Sequence, residues 1–414
     1  MNKKTALLVA FHFPPQAGSS GIQRTLSFSK HLPRQDWEPL VLSANSRAYA
    51  QHNASQLSSL PPGLVVRRAF ALDTKRHLGY GGRYLEMMAL PDRWVSWLAH
   101  GVFAGLRLVR KHEASVIWST FPIATAHLIG LALHRLTGLP WIADFRDPML
   151  QPTYPTSGRQ RAIYGWIEKQ AVARCSYAVF TTERARESYR ARFPEVDPAK
   201  FRVIENGYDE DEFGRLINEA TPTARGPRLT LLHSGILYKN GRNPSAFLAA
   251  LASLKAAGRI DASSLRVILR APGDLPGNLA RVTEHGLGDI VEVLPSMPYR
   301  EALNEMLAAD GLLLFQGTQF NNQIPAKIYE YFRARKPVLG LVDPEGETAA
   351  VLRDAGFDDI VHPDGSAEIA AVLERFIPAV RDGSTHIASD EVIARASREH
   401  KARELAALFE EATA

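Results

Sequence analysis

Short continuous apolar runs recur along the chain, separated by stretches whose apolar residues fall at helical spacing. Residues 5–11 (TALLVAF), 37–42 (WEPLVL), 115–118 (SVIW), 140–143, 177–181 and 201–204 read as strands. The first of these is apolar almost throughout, as in a parallel strand covered on both faces. Helical patterns lie between them at 22–32, 93–112, 123–136, 159–174 and in a basic stretch ending at Arg192. Alternating strand and helix predicts a doubly wound parallel sheet. Residues 44–92 break the rhythm with Pro61, Pro62, Gly63, Gly79, Gly81 and Gly82. So long an irregular region in a compact domain is usually functional or mobile. Arg67, Arg68, Lys75, Arg76 and Arg83 crowd it among Phe70, Tyr80 and Tyr84, which marks it as an acceptor-facing or membrane-facing side.

The pattern lapses over residues 214–228, rich in Gly, Pro and Thr, and then restarts. Strands are expected at 229–233, 265–269, 290–294, 311–315, 337–341 and 359–362, with helices between them and a last helix over 389–412. A chain of 414 residues exceeds one ordinary core. The expected organisation is two α/β, Rossmann-like doubly wound domains, residues 1–218 and 219–385, facing each other across a cleft. Residues 386–414 form a C-terminal helix packing back on the first domain. Ligands of such sheets sit beyond the C-terminal ends of the strands.

Composition narrows the class. Apolar residues make up 45% and charged residues 22%, an ordinary globular balance. The single Cys175 excludes an internal disulfide and a multi-cysteine metal site, and suits a reducing compartment. The apolar run at 6–11 is too short for a signal-peptide core, and no stretch reaches the length needed to span a bilayer. A cytoplasmic protein is expected. Residues 1–218 hold 28 Lys and Arg against 18 Asp and Glu, and the remainder 21 against 26. The basic first half fits an anionic membrane face, an anionic substrate or nucleic acid, or a solvated surface without a partner. Basic-aromatic repeats and a recognisable reading helix are missing, which argues against nucleic acid.

Five stretches invite a chemical reading. In NNQIPAKIYEYFRARKPVLG, residues 321–340, Glu330 interrupts an apolar and aromatic helix, two turns in. A carboxylate there can grip the paired hydroxyls of a ribose, or merely solvate one helix face. Lys327, one turn earlier, can hold a phosphate at the helix start. Two strand-to-helix loops contain glycines, one with Gly18 and Gly21 and one with Gly235. The second loop also carries Lys239 and Arg242, cations suited to a diphosphate. Asp144, Arg146 and Asp147 end the strand at 140–143, either as a ligand site or as an ion pair closing a turn. Asp209 and Asp211 match an acidic metal motif superficially, but their place in a turn favours helix capping or solvation.

Taken together, FHFPPQAGSSGIQRTLSFSKHLP, WIADFRDPM, VIENGYD, HSGILYKNGRNP and IPAKIYEYFRARKPVLG resemble glycosyltransferase family 4, retaining sugar transferases with the GT-B fold. The resemblance implies transfer from a nucleotide-diphospho-sugar to a glycan or lipid-linked acceptor in cell-surface polysaccharide synthesis, with no metal cofactor. The first domain would bind the acceptor, in peripheral contact with the inner face of the cytoplasmic membrane, and the second would bind the donor. Glu330 matches the family's ribose-holding Glu, with Lys327, Gly235 and Ile328 beside the nucleotide. The family's other motif Glu, which contacts the donor sugar, falls on Asn322, flanked by Asn321 and Gln323. Gly18, Ser19, Ser20 and Gly21 match the first-loop phosphate or acceptor site. Arg242 and Lys239 would stabilise the leaving diphosphate in place of a metal. Arg146 and Asp147 fall near where many members carry a His beside the reacting sugar, and complete the candidate catalytic set. Two rivals share this fold, a nucleotide-sugar epimerase and a non-catalytic nucleotide-sugar-binding protein.

Overall fold

The computed structural model describes residues 3–17, 21–81, 83–151, 154–219, 226, 228–238 and 240–414. The chain forms two compact units, Met1–Asn206 with Arg398–Ala414, and Gly207–Ser397.

The first unit is built on seven strands: β1 (Lys4–Val9), β2 (Trp37–Ala44), β3 (Val65–Ala69), β4 (Val116–Thr120), β5 (Trp141–Arg146), β6 (Tyr177–Phe180) and β7 (Phe201–Val203). They lie in the order β3-β2-β1-β4-β5-β6-β7, every pair parallel. Period-two alternation of the strand side chains divides the core. Leu7 and Val9 pack into one layer while Ala6, Leu8 and Ala10 pack into the other. The second layer is completed by the helix Arg398–Thr413, whose Leu405 and Phe409 are buried there. Phe409 sets its ring edge-on to Trp37 at 5.0 Å.

The second unit repeats the plan with β8 (Leu229–Ser234), β9 (Leu265–Arg270), β10 (Val291–Leu294), β11 (Gly311–Gln316), β12 (Val338–Val342) and β13 (Ile360–Val361). Their order is β10-β9-β8-β11-β12-β13, again all parallel. Leu313 and Phe315 of β11 face a layer shared with Phe247, Leu373 and Phe376, and Leu312 and Leu314 face one shared with Ile328, Tyr331 and Phe332. Each such side chain contributes about 1.5–3 kcal/mol through burial, which holds the flanking helices in place. In each sheet the strand order reverses once, between β1 and β4 and between β8 and β11. That reversal is the switch point at which open α/β sheets bind ligands.

Three expectations need correction. The unit boundary falls at Asn206 and Gly207 rather than at 218 and 219, because residues 210–219 are helical and bury Phe213 and Leu216 in the second unit. The terminal helix is divided, Asp390–Arg395 belonging to the second unit and Arg398–Thr413 to the first. The region 44–92 contains an edge strand, β3. Among the described residues no helix is long and apolar enough to cross a membrane.

Candidate active site

The switch point of the second sheet gathers most of the chemistry expected of the donor half. β8 ends at Ser234, whose carbonyl accepts a hydrogen bond from Lys327 Nζ at 2.6 Å. The next residue is Gly235, with φ +140°. A Cβ built there would overlap Lys327 Nζ and stand 3.2 Å from Cε, so only glycine leaves room for the lysine tip. Burial, reinforced by the Arg242 charge, draws the Lys327 pKa down to about 7 against the opposing pull of Glu330. Arg242 donates through Nη2 (2.7 Å) and Nε (3.2 Å) to Gln316 Oε1 at the end of β11. Its guanidinium also lies over Tyr238 (5.5 Å) and Phe320 (5.3 Å). Gln316 is orientated in turn by donating Nε2 to the Gln323 carbonyl at 2.9 Å. Sequence reasoning missed this buried amide, because nothing in an apolar strand marks its last residue as the holder of an arginine.

His233 sits beneath the cluster, fully buried. It donates Nδ1–H to the Leu313 carbonyl at 2.9 Å, and its Nε2 has no hydrogen-bond partner among the described residues. Burial and the nearby Lys327 and Arg242 charges hold its pKa well below the usual value, so the ring is neutral.

Glu330 lies in the first turn of a seven-residue helix, Lys327–Arg333, not two turns in. Tyr299 donates its hydroxyl to Glu330 Oε1 at 2.7 Å. Other members of the expected donor set behave differently. Ile328 is fully buried in the core and its N–H bonds the Pro325 carbonyl, so its side chain offers no ligand contact. Asn321 is tied to Asp343 through Nδ2 at 2.8 Å, and its carbonyl accepts from Glu347 N at 3.0 Å. Those bonds fix the loop's path. Gln323 contributes its carbonyl to Gln316 and Thr348, while Asn322 is exposed. Lys239 lies outside the described residues.

In the first unit, Asp144 and Arg146 end β5 across a register shift, with Arg146 at φ +60°. A bulge of this kind at a strand end re-aims side chains. Asp144 proves to be one half of a buried bidentate pair with Arg24 (2.8 and 2.9 Å), and also accepts from the Thr120 hydroxyl at 2.8 Å. Arg24 further donates to the Ile204 and Glu205 carbonyls, pinning β7's exit to the helix Gly21–His31. Asp144 is thus held in an ion pair, but with the distant Arg24 and not with Arg146 in a turn of its own segment. Arg146 and Asp147 remain beside it. Burial lowers the Arg146 pKa and raises that of Asp147, each opposed by the other's charge. His12, just past β1, has its pKa lowered to about 4 by burial and by Arg146. It is a ring at this edge that the sequence pattern did not single out. Gly21 opens the helix there, while Gly18, Ser19 and Ser20 lie outside the described residues.

Asp209 accepts from Asp211 N–H at 3.1 Å, the bond of a helix-capping residue. Glu210, between them, pairs with Arg333 at 2.6 Å. Among the described residues no cluster of three or more His, Cys, Asp or Glu side chains could hold a metal ion.

Residues 20–207 match the model of the glycosyl transferase 4-like domain. Over its whole length the chain is similar to sucrose-phosphate synthase from Thermosynechococcus elongatus, at 14% identity and TM-score 0.66, covering 99% of this chain and 98% of that one. HepE from Anabaena, in complex with UDP, is similar at 14% identity and TM-score 0.66, with 99% and 100% covered. The UDP-GlcNAc 2-epimerase from Neisseria meningitidis, bound to UDP-GlcNAc, is similar at 11% identity and TM-score 0.54, with 98% and 100% covered. No curated protein matches the chain by sequence. The two doubly wound units have the GT-B fold, as in the similar glycosyltransferase structures.

Proposed function

We propose that the protein is a retaining glycosyltransferase. It moves a sugar from a nucleotide-diphospho-sugar to a glycan or lipid-linked acceptor in cell-surface polysaccharide synthesis, without a metal ion. One observation carries the reading: Lys327, Arg242 and Glu330 lie together at the switch point of the second sheet, with Gly235 making room for the lysine. As the bond from the anomeric carbon to the diphosphate breaks, its electron pair stays on the phosphate oxygen. Two cations already positioned there stabilise the growing charge. Lys327 has been drawn towards neutrality by burial, so an arriving diphosphate restores its proton. Arg242 offers a planar fork matched to phosphate oxygens. Glu330 would accept from ribose hydroxyls, and Asn322 and Lys239 would address the donor sugar and diphosphate.

The acceptor hydroxyl forms the new glycosidic bond and passes its proton to the oxygen of the departing diphosphate. Arg146 and Asp147 of the first unit would stand beside the reacting sugar and complete the catalytic set. A lipid-linked acceptor places this work at the cytoplasmic face of the membrane, with the basic first unit towards the bilayer. UDP in HepE and UDP-GlcNAc in the epimerase make uridine diphosphate the first nucleotide to try.

The epimerase likeness supports one second reading, in which the same donor site isomerises the sugar and no acceptor is used. Incubation with nucleotide-sugars, with and without lipid-linked acceptors and EDTA, separates the two. Transfer should persist in EDTA and give a product whose anomeric configuration, read by nuclear magnetic resonance, matches the donor's. Isomerisation without acceptor would replace the transferase reading. Loss of activity in EDTA with rescue by Mn2+ would overturn metal independence.

A further inference from the structure

We propose that residues 75–81 and 83–88 of the first unit form a lipid-docking surface that seats the protein on an anionic bilayer, an inference that rests on the membrane-face reading above and names its contact residues. Eighteen large apolar side chains are exposed among the described residues, and six of them fall within residues 78–88. These are Leu78, Tyr80, Tyr84, Leu85, Met87 and Met88, with Tyr80 94%, Leu85 72% and Met87 75% exposed. Scattered surface apolar residues need no explanation, but a concentration of this kind marks an interaction surface.

The surface is held in shape from its base. Thr74 donates its hydroxyl to the Met88 carbonyl and also to that of Arg93, both at 2.9 Å, closing the two ends of the loop. Asp73, itself buried, caps Lys75 N at 3.0 Å, and Tyr80 and Arg83 exchange backbone bonds of 2.8 and 3.0 Å. The exposed apolar groups are thus presented on an anchored backbone.

Charge chooses the occupant. Residues 67–111 hold nine Lys and Arg against three Asp and Glu. Asp73 and Asp92 are buried. Glu86, the one acid inside the loop, accepts from the Ser157 hydroxyl and pairs with Arg159 at 3.8 Å. Lys75 and Arg83 are exposed and make no ion pair among the described residues. Apolar side chains interleaved with unneutralised cations suit a surface offering hydrocarbon beneath phosphate, which is the interface of an anionic membrane. Tyrosines settle at the headgroup level of such an interface.

The full chain should co-sediment with mixed phosphatidylcholine–phosphatidylglycerol vesicles and much less with phosphatidylcholine alone, and high salt should weaken the association. Each cation lost from such a contact costs about fivefold in partitioning, so Lys75→Glu with Arg83→Glu should lower it by at least about 25-fold. Leu85→Ser with Met87→Ser should lower it as well. Both double variants should keep the unfolding temperature and nucleotide affinity of the parent, which separates this inference from the donor assignment. Absence of binding to anionic vesicles would overturn the proposal, as would parental binding by both variants. Loss of an acidic protein partner with vesicle binding unchanged would assign the loop to that protein instead.

Discussion

Gly235 offers the sharpest test of how the donor half is built. Gly235→Ala would add a methyl where Lys327 Nζ now lies, at a backbone φ of +140°. The obstructed atom is the free end of a flexible side chain, so the lysine can swing aside and the fold survives. What it loses is its seat on the Ser234 carbonyl, 2.6 Å away. A hydrogen bond from a charged donor is worth about 1.5–3 kcal/mol, so nucleoside-diphosphate affinity should fall roughly tenfold to a hundredfold. The strained backbone adds about 1–3 kcal/mol of destabilisation, seen as a loss of several degrees in Tm. Calorimetric titration of the parent, Gly235→Ala, Lys327→Ala and the double variant closes a thermodynamic cycle. Because the alanine acts through the lysine, Gly235→Ala should cost little once Lys327 is gone. Parental affinity in Gly235→Ala, or the same loss in both backgrounds, would refute the reasoning.

Other consequences follow from the same contacts. The Lys327 pKa is drawn from 10.5 to about 7, so diphosphate affinity should decline as pH rises above about 7, with proton uptake on binding measurable in buffers of different ionisation enthalpy. Between about 7 and 10.5 the unfolded chain binds more protons at this lysine than the folded one, so its contribution to stability improves as pH rises through that window. Lys327→Met should flatten both profiles, and a pH-independent affinity in the parent would contradict the placement. Asp144→Ala leaves the buried Arg24 guanidinium without its counter-ion, which should cost about 3–5 kcal/mol in urea unfolding; an unchanged midpoint would exclude a structural role for the pair. Glu330→Ala should weaken nucleotide binding markedly with the fold intact, and Tyr299→Phe, which removes the 2.7 Å bond to Glu330, should do so to a lesser degree. Equal affinities in calorimetry would remove both from the site.

The central strands were legible because burial on both faces makes them continuous apolar runs. β3 was not, since it lies at the sheet edge and carries Arg67 and Arg68 through its middle. The helix Glu210–Glu219 was hidden by its acidic first turn, its Gly214 and an apolar face reduced to few residues, so it passed for turn and linker. At the proposed donor site, Lys327 and Glu330 could be singled out because a cation and a carboxylate interrupt an apolar segment. Gln316 could not, since its role depends on Arg242, 74 residues away in the chain. Arg24 and Asp144, 120 residues apart, meet only because β1 and β5 flank β4 in the same sheet. Local pattern therefore marks a charged residue, whereas its partner comes from topology. Ile328 and Asn321 make the converse point, because neighbours of a functional residue in sequence can belong to the core or to a loop brace.

The central claim is that the second unit holds a nucleoside diphosphate at Lys327, Arg242 and Glu330. Calorimetric titration of the full chain with uridine, guanosine, adenosine, cytidine and thymidine diphosphates tests it most directly. At least one should bind, and Arg242→Met and Lys327→Met should each weaken that binding by about tenfold or more. Failure of all five to bind, or binding that both variants leave unchanged, would contradict it.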